Sequence, residues 1–279
     1  MKLPWGQTLV VLAAAVVFAG GIVVAALARD EPGTTAEGAF VSLRAVPLSG
    51  GSLPKMSAAV GRPTPIALPP LTVDSGCRPG GGMNTVAAVP DAVTQRVNVA
   101  WQRIETWLAA RAPASAAALA GPASLARLGE VQQRIGVTLP PELVASLLRH
   151  DGMGTGGGHL LPAIYRPVSA ADIGSQAKSL CEVLMGSTNE SVGTWWHGQF
   201  VPFAVDGAGD VLFLDQRRGH GGKLGESDHE GSVDFGRRPA GLTELLEQTA
   251  AALETGERTY GGYRAEVTPS GVLTWELAR

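Results

Sequence analysis

The sequence predicts a single α+β domain, with an antiparallel-rich sheet packed against helices, carried behind an apolar N-terminal segment and a long spacer. Two observations predict the fold class. Apolar residues recur at helical spacing to about residue 150; after that come a helix to about residue 184, short apolar runs separated by glycine-rich turns, and a closing helix. Helices followed by strands is α+β order, unlike the regular alternation that builds parallel sheets. A third observation bounds the domain: nine of the nineteen prolines fall between residues 30 and 92, where they remove backbone donors and no periodicity persists.

Residues 1–8 form a short N-terminal tail. Residues 9–28 are twenty residues without a charge. At about 1.5 Å per residue, a helix of that length matches a hydrocarbon core of about 30 Å. Trp5 lies before it and Arg29-Asp30-Glu31 after it, suited to the two interfaces. The expectation is a transmembrane helix with the C-terminal domain outside the cytoplasm. The competing expectation is a cleaved secretory signal, because Lys2 supplies a charged start and Ala26-Leu27-Ala28 fits a cleavage site. The apolar run exceeds the roughly 7–15 residues of a signal's apolar region, which favours the anchor. Residues 29–92, with Gly50-Gly51-Ser52, Pro69-Pro70 and Gly80-Gly81-Gly82, read as a disordered linker.

The domain is expected over 93–258. Val97, Trp101, Ile104, Trp107 and Leu108 mark a first helix limited by Pro113. A second runs from Ser124 through Leu125, Leu128, Val131 and Ile135, with Gly136 placed to end it. Pro141 and Glu142 suit the first turn of a third, which stops at His150-Asp151-Gly152. Ser169 can cap a helix to about Leu184. Residues 200–205 and 211–215 read as strands around the turn Asp206-Gly207-Ala208-Gly209-Asp210, and 233–235 as another. Residues 219–231 read as a glycine-rich excursion. Leu242, Leu245, Leu246, Thr249 and Leu253 form a last helix, and 259–279 close as a hairpin around Pro269-Ser270-Gly271.

In this order the motifs resemble the SUKH superfamily, the Smi-Knr-like domains. They are Trp101-x-x-Ile104-Glu105-x-Trp107-Leu108, Ile135-Gly136-x-x-Leu139-Pro140, Leu147-Leu148-x-His150-Asp151-Gly152, Leu160-Leu161-Pro162, and Phe203-Ala204-x-Asp206-Gly207-x-Gly209-Asp210 leading to Phe213-x-x-Asp215. The resemblance covers about Val97 to Gly256. It implies a sheet packed on helices and a protein-binding role, often as the immunity partner of a secreted toxin, and in fungi as a regulator of cell-wall synthesis. It carries over no catalytic residue. The apolar segment and spacer depart from the soluble members of the superfamily.

Other motifs are weaker. Gly152-Met153-Gly154-Thr155-Gly156-Gly157 fits G-x-G-x-x-G, but a helix precedes it where a dinucleotide site needs a strand. Counted from Asp206, the third and twelfth positions are Ala208 and Arg217, which breaks the calcium-loop pattern. A net charge of −3 gives no footprint for nucleic acid. Cys77 and Cys181 fit no metal spacing; outside the cytoplasm they could pair, and inside they would stay thiols. No cofactor is expected.

The reading that follows is a membrane-tethered module with no chemistry of its own, binding a protein such as a toxin or an envelope component. Its expected contact residues are Trp195 and Trp196, as aromatic anchors where exposed, with at least one of the pair expected in the core, and the acids Asp206, Asp210, Glu226, Asp228 and Glu230, which could steer a basic partner. The alternatives are a cell-envelope hydrolase using His220 or His229 with neighbouring carboxylates and a structural envelope scaffold.

Overall fold

The computed structural model describes residues 73–236 and 238–277, and two strands further upstream. The chain divides into two units, 1–63 and 64–279. In the first, β1 (Ala13–Phe18) pairs antiparallel with β2 (Gly21–Ala26), from Ala13 opposite Ala26 to Phe18 opposite Gly21. This replaces the helix expected over 9–28, whose remaining residues lie outside the described ones. The sequence explains the difference: Val16, Val17, Ile22, Val23 and Val24 are β-branched, and Gly20-Gly21 is a poor helix interior. Among the described residues no helix is long and apolar enough to cross a membrane.

The second unit begins with α1 (Asp91–Arg111), α2 (Pro113–Ala118), α3 (Leu125–Ile135) and α4 (Pro141–Leu147). Helix α5 (Ala170–Met185) and the closing helix α6 (Leu242–Thr255) follow. The caps are those the sequence calls for. The Ser124 and Ser169 side chains accept from the backbone N–H groups of Arg127 and Asp172, and Gly136 and Gly256 end α3 and α6 in the left-handed region. Helix α6 lies along α1, with Arg96–Glu247 and Arg103–Glu254 ion pairs on the outer face. The Glu142 carboxylate of α4 accepts from the N–H groups of Leu242 and Thr243 and from the Thr243 hydroxyl, so an acid from α4 caps the start of α6.

The sheet is antiparallel, in the order β3 (Arg166–Pro167), β4 (Phe200–Val205), β5 (Val211–Asp215), β6 (Lys223–Ser227), β7 (Val233–Asp234). Strand β6 lies in the stretch expected to be an excursion. Its Gly225 stands opposite Phe213, and a Cβ there would come within 2.4 Å of the Phe213 ring, so this glycine makes room for an aromatic side chain within a strand. Strands β8 (Tyr263–Val267) and β9 (Leu273–Leu277) form the expected hairpin. The main core includes Trp101, Ile104 and Leu108 of α1, Leu245 and Leu246 of α6, and Leu212 and Leu214 of β5. A second cluster gathers Leu184, Trp196, Phe200, Val211 and Phe213, with the Phe200 and Phe213 rings stacked at 4.1 Å.

Order begins earlier than the composition suggests. Residues 73–90, expected within the linker, form an arm laid along the domain. Cys77 is disulfide-bonded to Cys181 of α5, Cα–Cα 5.8 Å. The buried Gln132 amide donates to the carbonyls of Met83 and Thr85, and its oxygen accepts from the Leu139 N–H. These bonds supply the polar partners that proline and glycine cannot. The arm lies so close to α3 that a Cβ on Gly129 would fall 1.8 Å from the Asn84 carbonyl oxygen. Gly129→Ala should therefore displace the arm and destabilise the domain by about 1–3 kcal/mol. Limited proteolysis should detect new cleavage within 73–90, and an unchanged digest would show that the arm is not seated this way.

Candidate functional site

The turn joining β4 to β5 is held by one carboxylate. Asp206 Oδ1 accepts from the backbone N–H groups of Ala208 (2.7 Å), Gly209 (3.0 Å) and Asp210 (3.0 Å). Gly207 and Gly209 take φ of 93° and 129°, a region open to glycine at little cost. Asp210 then reaches across to the loop after β6. Its Oδ1 accepts from the His229 N–H (2.9 Å) and lies 2.7 Å from His229 Nδ1. Asp228 Oδ1 holds the same loop by accepting from the N–H groups of Glu230 and Gly231. The hydrogen bond to Asp210 raises the His229 pKa above its ordinary value, and the charges of Asp210, Glu230 and Asp228 act in the same direction. Asp210, Asp228 and His229 bring ligand atoms within 4.8 Å of one another, the one such group among the described residues. The Oδ1 atoms of both acids are already committed to this loop, so the cluster acts as a latch.

Beside the latch is a hollow of about 570 Å³. Asp206, Asp210, Glu226 and Arg238 line it, together with Ile164 and the tyrosines Tyr165, Tyr260 and Tyr263. These are all three tyrosines of the chain. Ala163, also in the lining, is the one non-glycine residue with positive φ (68°) among the described residues, and the neighbouring Ile164 is left 46% exposed. Burial drives the Tyr165 phenol well above its usual range, and Glu226, to which it is hydrogen-bonded, adds to the rise. Burial likewise pushes the Tyr260 phenol up to about 12. Arg238 pairs with Glu226 at 2.6 Å and Asp234 at 2.9 Å.

The two histidines offered as alternatives for a hydrolase, His220 or His229, face different carboxylates. His220 Nδ1 lies 2.8 Å from Oδ2 of Asp215, a carboxylate with no exposed surface. Arg217 fills the same acid through Nε, NH2 and its backbone N–H and lies over the Phe200 ring. His229 belongs to the latch. Neither histidine lines the hollow.

The family-like motifs also resolve into structure. Glu105 pairs with Arg149 through two short hydrogen bonds and lies 2.7 Å from His150 Nε2. The Arg149 bond, then those of His150, hold its carboxyl below the usual range. His150 Nδ1 sits 2.7 Å from the Ala120 carbonyl, and its ring packs on Trp101. Asp151 accepts from the first N–H of α5, and Gly152 takes φ 79° where a Cβ would strike the Val168 backbone. The glycines that follow therefore start from a structural corner, with a short 3₁₀ turn at Thr155–Gly157 and no strand leading into them.

Of the seven expected contact residues, the structure gathers Asp206, Asp210 and Glu226 at the hollow and sets Asp228 and Glu230 on the latched loop beside it. The tryptophans do not join them. Trp196 is wholly buried against Phe200 and Phe213, which corrects its expected role as an exposed anchor. Trp195 packs half-buried on the same cluster, while its carbonyl accepts from the Ser227 hydroxyl. Sequence reading missed Tyr165, Ile164, Arg238, Tyr260 and Tyr263. The available signal was the pairing of a scarce residue type with the C-terminal hairpin, at Tyr260-Gly261-Gly262-Tyr263.

The helices before a small antiparallel sheet, the His-Asp-Gly corner and the acid turn are the features that the resemblance rested on. Residues 122–248 match the SMI1 / KNR4 family (SUKH-1). The SUKH-1 match runs from just before α3 into α6. It contains the acids, Tyr165 and Arg238, while Tyr260 and Tyr263 come from beyond it. Among curated proteins no match emerges.

Proposed function

We propose that the chain is a protein-binding module with no catalysis of its own, that its partner is a toxin or a cell-envelope component, and that it works outside the cytoplasm. The reading is carried by the SUKH-1 match over 122–248, taken together with a hollow whose lining is tyrosine and acid. Tyrosine is the residue type that interfaces favour, with a large apolar ring and a polar tip. The Cys77–Cys181 disulfide supports a location in an oxidising compartment. The uncharged run over 9–28 supports export, whether it is retained as an anchor or removed.

The test uses the full chain, tagged and kept oxidised, to capture partners from envelope and secreted fractions of its own source. A single stoichiometric partner is expected. Replacing Asp228 by Asn and Glu230 by Gln should slow association several-fold and flatten its salt dependence, with dissociation little changed, because exposed charges act mainly on encounter. Recovery of no stoichiometric partner, or a hydrolytic activity lost in His220→Ala, would overturn the reading.

A further inference from the structure

The hollow beside the β4–β5 turn can be given an occupant, an inference that rests on the protein-binding reading above. Three carboxylates line it, Asp206, Asp210 and Glu226, against one cation, Arg238, which is already shared between Glu226 and Asp234. Asp206 and Asp210 each commit Oδ1 to the turn and the latch, which leaves their second oxygens as acceptors. A second observation is independent of the acids: all three of the chain's tyrosines line this one hollow, beside the exposed Ile164. Apolar rings around excess negative charge suit a ligand that is apolar along its length and cationic at its tip. An anion would face a net negative lining, and an aliphatic side chain would leave the carboxylates without a counter-charge. The hollow is also roomy enough for one long side chain with part of its backbone.

We infer that the hollow receives one lysine or arginine side chain of the protein partner, with its methylene stem against Tyr260, Tyr263 and Ile164 and its charged head on Asp206 and Asp210. The SUKH-1 segment supplies the charge, and the C-terminal hairpin supplies two of the three rings.

Titration of the isotope-labelled full chain with N-acetyl-lysine amide, N-acetyl-arginine amide and N-acetyl-norleucine amide tests this by NMR. The two cationic probes should give saturable shifts at residues 163–165, 206–210, 226 and 260–263, with Kd on the order of 1 mM, as expected for ligands this small. Norleucine should give none. Asp206→Asn with Asp210→Asn keeps an oxygen for the turn and should weaken the cationic probes at least about tenfold, the effect of losing charge-assisted bonds. The variant's own spectrum reports whether it is folded, and Tyr260→Ala, which leaves the turn intact, should weaken the same probes. Equal binding of norleucine, shifts elsewhere on the surface, or no saturation by any probe would overturn the inference. The protein-binding reading stands or falls separately, on the capture experiment. A captured partner whose affinity survives the double Asp→Asn change would remove this hollow from the interface and leave that reading intact.

Discussion

Replacing Cys77 and Cys181 together by alanine should lower the free energy of unfolding by about 4–5 kcal/mol. The disulfide closes a loop with a sequence separation of 104, and a closed loop of that size removes about 4.7 kcal/mol of chain entropy from the unfolded state. The loop encloses α1 to α4 and most of α5, so the constraint acts on the half of the domain that carries the first helices of the core. Stability of an ordinary domain is only about 5–15 kcal/mol, so the loss is a large share of the total. Urea titration should show a lower midpoint, and the native chain in excess reductant should move to the same place. A shift worth less than about 1 kcal/mol would mean that the arm of residues 73–90 is held chiefly by its hydrogen bonds, to Gln132, Arg134 and Gly198 among others. The expected size also bears on where the chain works. A loss of that size would leave the domain poorly suited to a reducing compartment.

The elements that were legible in the sequence are those whose signal is local. Helices α1, α3, α5 and α6 follow from apolar spacing and from Ser124, Ser169, Gly136 and Gly256, because caps and stripes are set by residues within a turn or two of one another. The acid turn at Asp206–Asp210 was legible for the same reason. What escaped was set by distant partners. Strand β6 is written in glycine and charge as Lys223-Leu224-Gly225-Glu226-Ser227, and its identity depends on Phe213 needing the space above Gly225. The arm reads as linker because its order comes from Gln132 and Cys181, far along the chain. Trp195 and Trp196 illustrate the limit for sites. Two adjacent tryptophans carry no mark of which face they take, and here the aromatic cluster of β4 and β5 claims Trp196 entirely. The hollow joins Tyr165 to Tyr260 and Tyr263 across about a third of the chain, a proximity that only the sheet and the closing hairpin create.

Asp215→Ala is expected to be the most damaging single charge change, at about 3–5 kcal/mol, the usual result of removing one partner from a buried ion pair. The wild-type carboxylate has no exposed surface, and it accepts from the Arg217 side chain and N–H while holding His220 Nδ1 at 2.8 Å. Deleting it strands a guanidinium that is itself three-quarters covered beside the Phe200 ring, and it frees the loop that leads from β5 into β6. Asp215→Asn, which preserves shape and one acceptor, should cost less, and Arg217→Ala made on top of Asp215→Ala should cost little more, because the stranded charge leaves with it. His220→Ala should be mild, since that ring is 41% exposed. Thermal or denaturant unfolding of this four-variant set distinguishes two roles for the same geometry. An Asp215 whose loss scarcely alters stability, yet abolishes an activity that His220→Ala also abolishes, would be acting through its histidine as a catalytic pair does. The expected pattern, with strong destabilisation on removing the acid, little further loss when Arg217 goes too, and indifference to His220, is that of a charge buried to fix the β5–β6 corner from which Glu226 and the latched loop are presented.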